Sequence, residues 1–148
     1  MIAELEFLPM AERHILEIAR LERECFSSPW TEEAFRSELK NPHASYLVAA
    51  CGNRIVGYAG MHTVGEDGYV TNVAVSPEHR KCGVGTGLVG RLLSEAGSRG
   101  CSVLTLEVRA SNGAARSLYR KHGFSAVGSR KGYYTLPDED AVIMLKIL

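Results

Sequence analysis

A chain of 148 residues, 45% apolar and 23% charged, is long enough to bury one core and too apolar to remain disordered. Its 17 basic and 17 acidic residues cancel, which excludes a polyanion binder relying on bulk charge, so no direct nucleic-acid partner is expected. The longest unbroken apolar run, Tyr46 to Cys51, falls far short of the ~20 residues of a membrane helix.

Taken in chain order, the pattern predicts a mixed α/β domain over residues 1–148. Glu4–Leu8 reads as a short strand. An amphipathic helix follows, with Ile15, Ile18, Ala19 and Glu22 at helical spacing. After Pro29 and Trp30, Thr31 caps a second helix whose first turn holds Glu32 and Glu33. Tyr46–Cys51 and Arg54–His62 flank the two-residue turn Gly52-Asn53, and Tyr69–Val75 follows the loop Gly65–Gly68, giving an antiparallel meander. A helix with the stripe Leu88, Val89, Leu92, Leu93 and Ala96 then crosses to the strand Cys101–Arg109, with Gly97 and Gly100 marking its end. On that strand Leu104, Leu106 and Val108 share one face, while Val103, Thr105 and Glu107 share the other. Asn112 caps a last helix that Gly123 closes, and Phe124–Gly128 and Ala141–Ile147 complete the strands. The order is β-α-α-β-β-β-α-β-α-β-β, an α/β (α+β, mixed-sheet) class with one right-handed parallel crossover.

Charge is uneven along this order. Residues 1–40 hold nine acids against five bases, whereas residues 76–131 hold three acids against ten bases. A local excess of seven positive charges suits a small ligand with several phosphates. Arg80, Lys81, Cys82, Gly83, Val84 and Gly85 stand in that region, directly before a helix. Glycines admit a ligand close to the backbone, and the free amides of a helix start favour phosphate oxygens. A tight turn with close helix packing would use the same glycines. No Gly-Lys-Ser/Thr occurs, which argues against a nucleoside triphosphatase. Gly85–Gly90 matches the dinucleotide fingerprint literally, with Glu107 following at a suitable distance, but nine residues separate it from Val75, and a doubly wound sheet would need several crossovers.

Glu107 in a largely apolar strand has the chemistry of a general base, and an inward Tyr119 that of a general acid; equally, Glu107 can pair with an arginine and Tyr119 can be core. The cysteines Cys25, Cys51, Cys82 and Cys101 are scattered without a C-x-x-C pair, and the five histidines lack ligand spacing, so no metal is expected. Free thiols, together with Glu4 and Glu6 where a secretory leader would be basic and then apolar, predict a cytoplasmic protein with no membrane association.

Val73-Ala74-Val75, R-x-x-G-x-G at Arg80 to Gly85, and N-x-x-A-x-x-L-Y-x-x-x-G-F at Asn112 to Phe124 together resemble the GNAT N-acetyltransferases. Phe26 with Pro29-Trp30, Leu106 to Asn112, and Gly132-Tyr133-Tyr134 followed by Glu139-Asp140-Ala141 and Met144 are similar to the RimI-type ribosomal-protein-alanine N-acetyltransferases. The resemblance implies acetyl-CoA as acetyl donor and the N-terminal alanine of a small-subunit ribosomal protein as acceptor. By the same resemblance, backbone groups at Val73, Ala74 and Val75 meet the acetyl and pantetheine part, Arg80 to Gly85 cradle the pyrophosphate, and Asn112 touches the donor. Glu107 takes the amine proton, Tyr119 protonates the departing thiolate, and Phe26, Pro29, Trp30 and Tyr133 to Asp140 border the peptide groove. Cys82 stands where the family more often has a long polar side chain. Another amine acceptor (a lysine side chain, a small polyamine or an antibiotic) and a non-catalytic CoA-binding module are the alternatives. The acidic N-terminal region and Asp138-Glu139-Asp140 are expected to attract a basic tail.

Overall fold

The computed structural model describes residues 4–148. Seven strands form one sheet in the order β1-β2-β3-β4-β5-β7-β6: β1 (Leu5–Pro9), β2 (Ala44–Cys51), β3 (Arg54–Val64), β4 (Asp67–Val75), β5 (Val103–Arg109), β6 (Ser125–Tyr134) and β7 (Glu139–Ile147). Helices α1 (Ile15–Cys25) and α2 (Glu32–Leu39) cover one face, and α3 (Val84–Ser98) and α4 (Gly113–Lys121) belong to the core on the other. The expected element order holds, as do the β2-β3-β4 meander and the parallel β4-α3-β5 crossover.

The boundaries move where pairing overrides local composition. β6 runs on to Tyr134 rather than stopping at Gly128, and β7 begins at Glu139 rather than Ala141, because the polar ends pair across the hairpin, as in Tyr134 with Glu139. β2 begins at Ala44 and β3 extends to Val64, leaving a shorter β3–β4 turn than expected. Gly97 lies within α3, and Gly100, at φ +84, ends it. Thr31 caps α2 by accepting from the Ala34 amide at 3.2 Å, and Asn112 caps α4 by accepting from the Ala115 amide at 3.1 Å.

Two apolar layers result. Ile15, Ile18, Phe35, Val48 and Tyr58 fill the α1/α2 side, and Met61, Leu88, Leu92, Leu104, Leu106 and Met144 fill the α3/α4 side. Gly57 brings the start of α3 down onto the sheet: a Cβ there would lie 2.9 Å from Val84 Cγ1 and 3.0 Å from the Ala74 carbonyl. That approach places the first turn of α3 near the end of β4, which is where the chemistry gathers.

Candidate active site

The β4–β5 seam is short. Asp67, Gly68 and Tyr69 pair with Val103, Leu104 and Thr105, and the ladder then stops. β4 nevertheless stays paired with β3 as far as Val75, and β5 with β7 as far as Arg109. The two strands are therefore held rigidly on their outer sides while the seam between them opens beyond Tyr69 and Thr105. A register shift between Gly60 and Met61 of β3 against Asn72 and Val70 leaves Thr71 as an extra residue on β4, a bulge at the mouth of the opening. Val73, Ala74 and Val75 line the β4 side of it. Val73 and Val75 pack toward the α3/α4 core, and Ala74 lies in the α1/α2 core.

Strand alternation then divides the two proton-transfer candidates. Leu104, Leu106 and Val108 are buried on the α3/α4 side, so Glu107 faces the other way. There the Tyr69 hydroxyl donates to Glu107 Oε2, and Arg130 Nε donates to Oε1 at 3.1 Å. The Glu107 side chain is only 7% exposed, whereas that of Arg130 is 56% exposed, so the partner is the group free to leave. Burial, and then the Glu107 hydrogen bond, push the Tyr69 phenol well above its usual range. The guanidinium of Arg130 also lies 5.9 Å from the centroid of the Tyr133 ring.

Tyr119 is on the opposite side. It is buried in the α3/α4 core, with its ring 5.8 Å from that of Phe124 in an edge-on arrangement. Burial raises its phenol above the ordinary value, at which it is already protonated at neutral pH. Glu107 and Tyr119 thus stand on the two faces of the sheet, separated by the open seam. That arrangement can take a proton from a group arriving on one face and give one to a group leaving on the other.

The loop before α3 forms the third part. Lys81 and Gly83 both adopt left-handed backbone, at φ 62 and 86, and Gly83 is the N-cap residue of α3. The first bond of the helix ladder runs from the Gly87 amide to the Gly83 carbonyl at 3.0 Å, so the amides of Val84, Gly85 and Thr86 precede it, with no side-chain cap. A Cβ at Gly83 would meet nothing within 4 Å, leaving the cradle open to a ligand. The glycines expected to act together in fact differ. Gly85 touches Leu118 and Gly87 touches Phe7, which are packing roles, and both lie inside a helix rather than in a strand–helix turn. The dinucleotide reading fails on this geometry and on the largely antiparallel sheet. Arg80 turns back toward β4, donating to the Val75 carbonyl at 3.3 Å. Cys82 is exposed, its thiol 3.5 Å from the Arg80 carbonyl. The Asn112 side-chain oxygen is engaged in its cap.

Two of the acids expected to attract a basic tail, Glu139 and Asp140, are engaged by the fold. Glu139 accepts from the Ser111 amide at 2.6 Å and from Arg109 at 3.2 Å, contacts that hold its carboxyl below the usual range. Asp140 accepts from the Gly132 amide at 2.9 Å. Arg109 also donates to the Pro137 and Thr135 carbonyls, fixing the β6–β7 turn. Tyr69 and Arg130 escaped sequence reasoning because only the pairing of β4 with β5 and of β6 with β7 brings them to Glu107. Among the described residues no group of three or more His, Cys, Asp and Glu is placed to hold a metal ion, and no helix is long and apolar enough to cross a membrane.

Comparison with known proteins bears on the family and the fold. The family described as acetyltransferase (GNAT) matches residues 15–124. The N-alpha-acetyltransferase RimI of Mycobacterium tuberculosis is 40% identical over 132 residues, covering 85% of this chain and 82% of the relative. The ribosomal protein bS18-alanine N-acetyltransferase of Escherichia coli K12 is 34% identical over 126 residues, 84% of each chain. The crystal structure of the ribosomal-protein-S18-alanine N-acetyltransferase from Escherichia coli superposes with a TM-score of 0.89 at 29% identity, covering 97% of this chain and 94% of that one. On the family match and these relatives, the chain belongs to the GNAT family of acetyltransferases.

Proposed function

We propose that this acetyltransferase moves an acetyl group from acetyl-CoA to the α-amino group of a protein N-terminus, with alanine first and a small-subunit ribosomal protein as acceptor. It acts in the cytoplasm as one catalytic domain over residues 1–148. The observation that carries the reading is the open β4–β5 seam with Glu107 on one face and Tyr119 on the other. Relatives whose names carry this acceptor align over most of both chains, which supports the choice of alanine.

The residues fit the donor. The open backbone at Gly83 and the uncapped amides of the α3 start suit a pyrophosphate, with Lys81 beside them. Acetyl-CoA supplies an activated thioester carbonyl when bound. Backbone amides of β4 beyond Tyr69 lack a β5 partner and donate to negative charge developing on the acetyl oxygen. An N-terminal amine, with a pKa of about 8, is largely protonated at neutral pH and must lose a proton before it attacks. Glu107 accepts that proton, directly or through water, once Arg130 gives way. Tyr119, protonated at neutral pH as any phenol is, gives its proton to the leaving thiolate.

A thiol-release assay with acetyl-CoA and peptides differing in their first residue tests the proposal. An alanine-started peptide is expected to react fastest, with the acetyl group found on its α-nitrogen. Faster reaction of lysine side chains, polyamines or aminoglycosides would overturn the acceptor.

A further inference from the structure

Helix α1 buries a carboxylate where an apolar residue would satisfy the pattern. Glu22 continues the row Ile15, Ile18, Ala19, yet it is only 2% exposed. Burying an ionised group is costly unless each oxygen finds a donor. Both do. Oε2 accepts from the Trp30 amide at 3.0 Å, and Oε1 accepts from the Tyr58 hydroxyl of β3. Asn72 of β4 also faces the carboxylate and favours its charged form. The Trp30 amide belongs to the turn between α1 and α2, so one side chain ties that turn to β3.

The turn is linked to β4 by a second route. The Trp30 ring lies 5.5 Å from Phe35 and 6.3 Å from Tyr46. The Tyr46 hydroxyl is 2.6 Å from Thr71 Oγ1 and donates to Asn72 at 3.4 Å. Thr71 is the bulge residue beside the opening, two positions from Tyr69. The turn is therefore registered against the strand that lines the seam, on the face that Glu107 occupies.

We infer that Glu22 is a positioning residue for the acceptor: by clamping the Trp30 amide it holds the Pro29–Trp30 turn where the N-terminal peptide docks. The inference rests on the reading, given above as implied by family resemblance, that Pro29 and Trp30 border the peptide groove. A carboxylate can serve two donors at once, whereas an apolar side chain of equal size would fill the space but leave the Trp30 amide without its acceptor. The role is geometric, so it does not need the charge. In Glu22→Gln the amide oxygen can accept from Trp30 while its NH2 donates to the Tyr58 oxygen.

Trp30 is the sole tryptophan of the chain, so its fluorescence reports the turn directly. The test compares Glu22→Met, Glu22→Gln and Trp30→Ala by steady-state kinetics with an alanine-started peptide, and the Glu22 variants also by emission and acrylamide quenching. For Glu22→Met, the peptide KM is expected to rise about tenfold, with kcat and the acetyl-CoA KM within about twofold, as for loss of acceptor binding alone. Its Trp30 emission should shift red and quench more readily. Glu22→Gln should restore both. If the Met variant does not fold, Glu22→Asp, which withdraws the carboxylate by one methylene, is expected to raise the same KM.

An unchanged peptide KM in a folded Glu22→Met or Glu22→Asp enzyme, a parallel rise in the acetyl-CoA KM, or failure of Gln to rescue would each overturn the positioning role. Trp30→Ala separates this from the underlying reading. If that variant raises the peptide KM and the Glu22 variants do not, Glu22 alone is misassigned. If Trp30→Ala leaves it unchanged, the groove reading fails and the positioning role goes with it.

Discussion

The hydroxyl of Tyr69 donates to the carboxylate of Glu107 across the mouth of the β4–β5 seam. Tyr69 pairs with Thr105 in the last rung of the parallel ladder, and Glu107 is two residues further along β5. The contact therefore sits where the strands part, and it orients the carboxylate toward the opening.

This relationship has a kinetic consequence. Hydrogen bonds to charged groups contribute about 1.5–3 kcal/mol when buried, and the Tyr69 site is partly open, so Tyr69→Phe should cost roughly tenfold in turnover. Acetyl-CoA affinity should stay the same, because the tyrosine faces away from the α3 cradle. Arg130→Ala should leave thermal stability nearly unchanged, within about 1 kcal/mol, since the Arg130 side chain is more than half-exposed and its charge is screened by solvent. Turnover measured beside melting temperature checks both. Loss of stability without loss of rate in Tyr69→Phe would make the tyrosine merely structural.

The glycines of α3 should respond in opposite directions. A Cβ at Gly87 would lie 2.2 Å from Phe7 Cζ, and the Phe7 ring is further held under Arg91 at 4.6 Å. Gly87→Ala should destabilise by about 1–3 kcal/mol through overpacking. At Gly90 nothing lies within 4 Å, so Gly90→Ala should stabilise by about 0.5–1 kcal/mol through reduced chain entropy. Denaturant unfolding of the two variants distinguishes them. A similar effect in both would contradict the packing described.

Stability should depend on pH through Glu22. Burial, the largest cause, raises its pKa above the ordinary carboxylate value, against opposing hydrogen bonds from Tyr58, Trp30 and Asn72. The folded chain then holds the proton more tightly than the unfolded one. The resulting stability is fully present below the unfolded value of about 4.3 and is lost as pH rises through the raised folded value. Glu22→Gln escapes that loss. It should melt above the wild type at pH 7, with the difference shrinking as pH falls toward about 4. A difference that stays constant with pH would refute the linkage.

Much of this site could be read from the sequence, for physical reasons that differ by residue. The Leu104, Leu106, Val108 alternation alone assigns Glu107 to the opposite face of its strand. Asn112 and Thr31 announce their caps because a short polar side chain before a helix has a local partner. Nothing local links Tyr69 or Arg130 to Glu107, 38 and 23 positions away. Glu22 was visible on an apolar helical row, but its donors come from β3 and the following turn. The glycines from Gly83 to Gly90 look alike as letters, yet one takes a left-handed turn, two sit against Leu118 and Phe7, and one faces open space. Such differences arise only in tertiary packing.

Tyr119→Phe probes the other face. The phenol packs in the core next to Phe124, so removing one oxygen should leave the fold intact while turnover falls. The loss should be smaller than for Glu107, because a thiolate leaves tolerably without a proton. Equal rates in the two enzymes at equal folded fraction would remove Tyr119 from the proton path.

In the proposed mechanism Glu107 takes the acceptor's proton at the open seam, and Glu107→Gln tests that transfer. The amide keeps the shape and can still accept from Tyr69, but it loses its basicity. Turnover with an alanine-started peptide should fall roughly 100-fold or more, as for typical general bases, while acetyl-CoA affinity and melting temperature stay near those of the wild type. A folded, acetyl-CoA-binding Glu107→Gln enzyme with near-normal turnover across pH would remove Glu107 from the proton path.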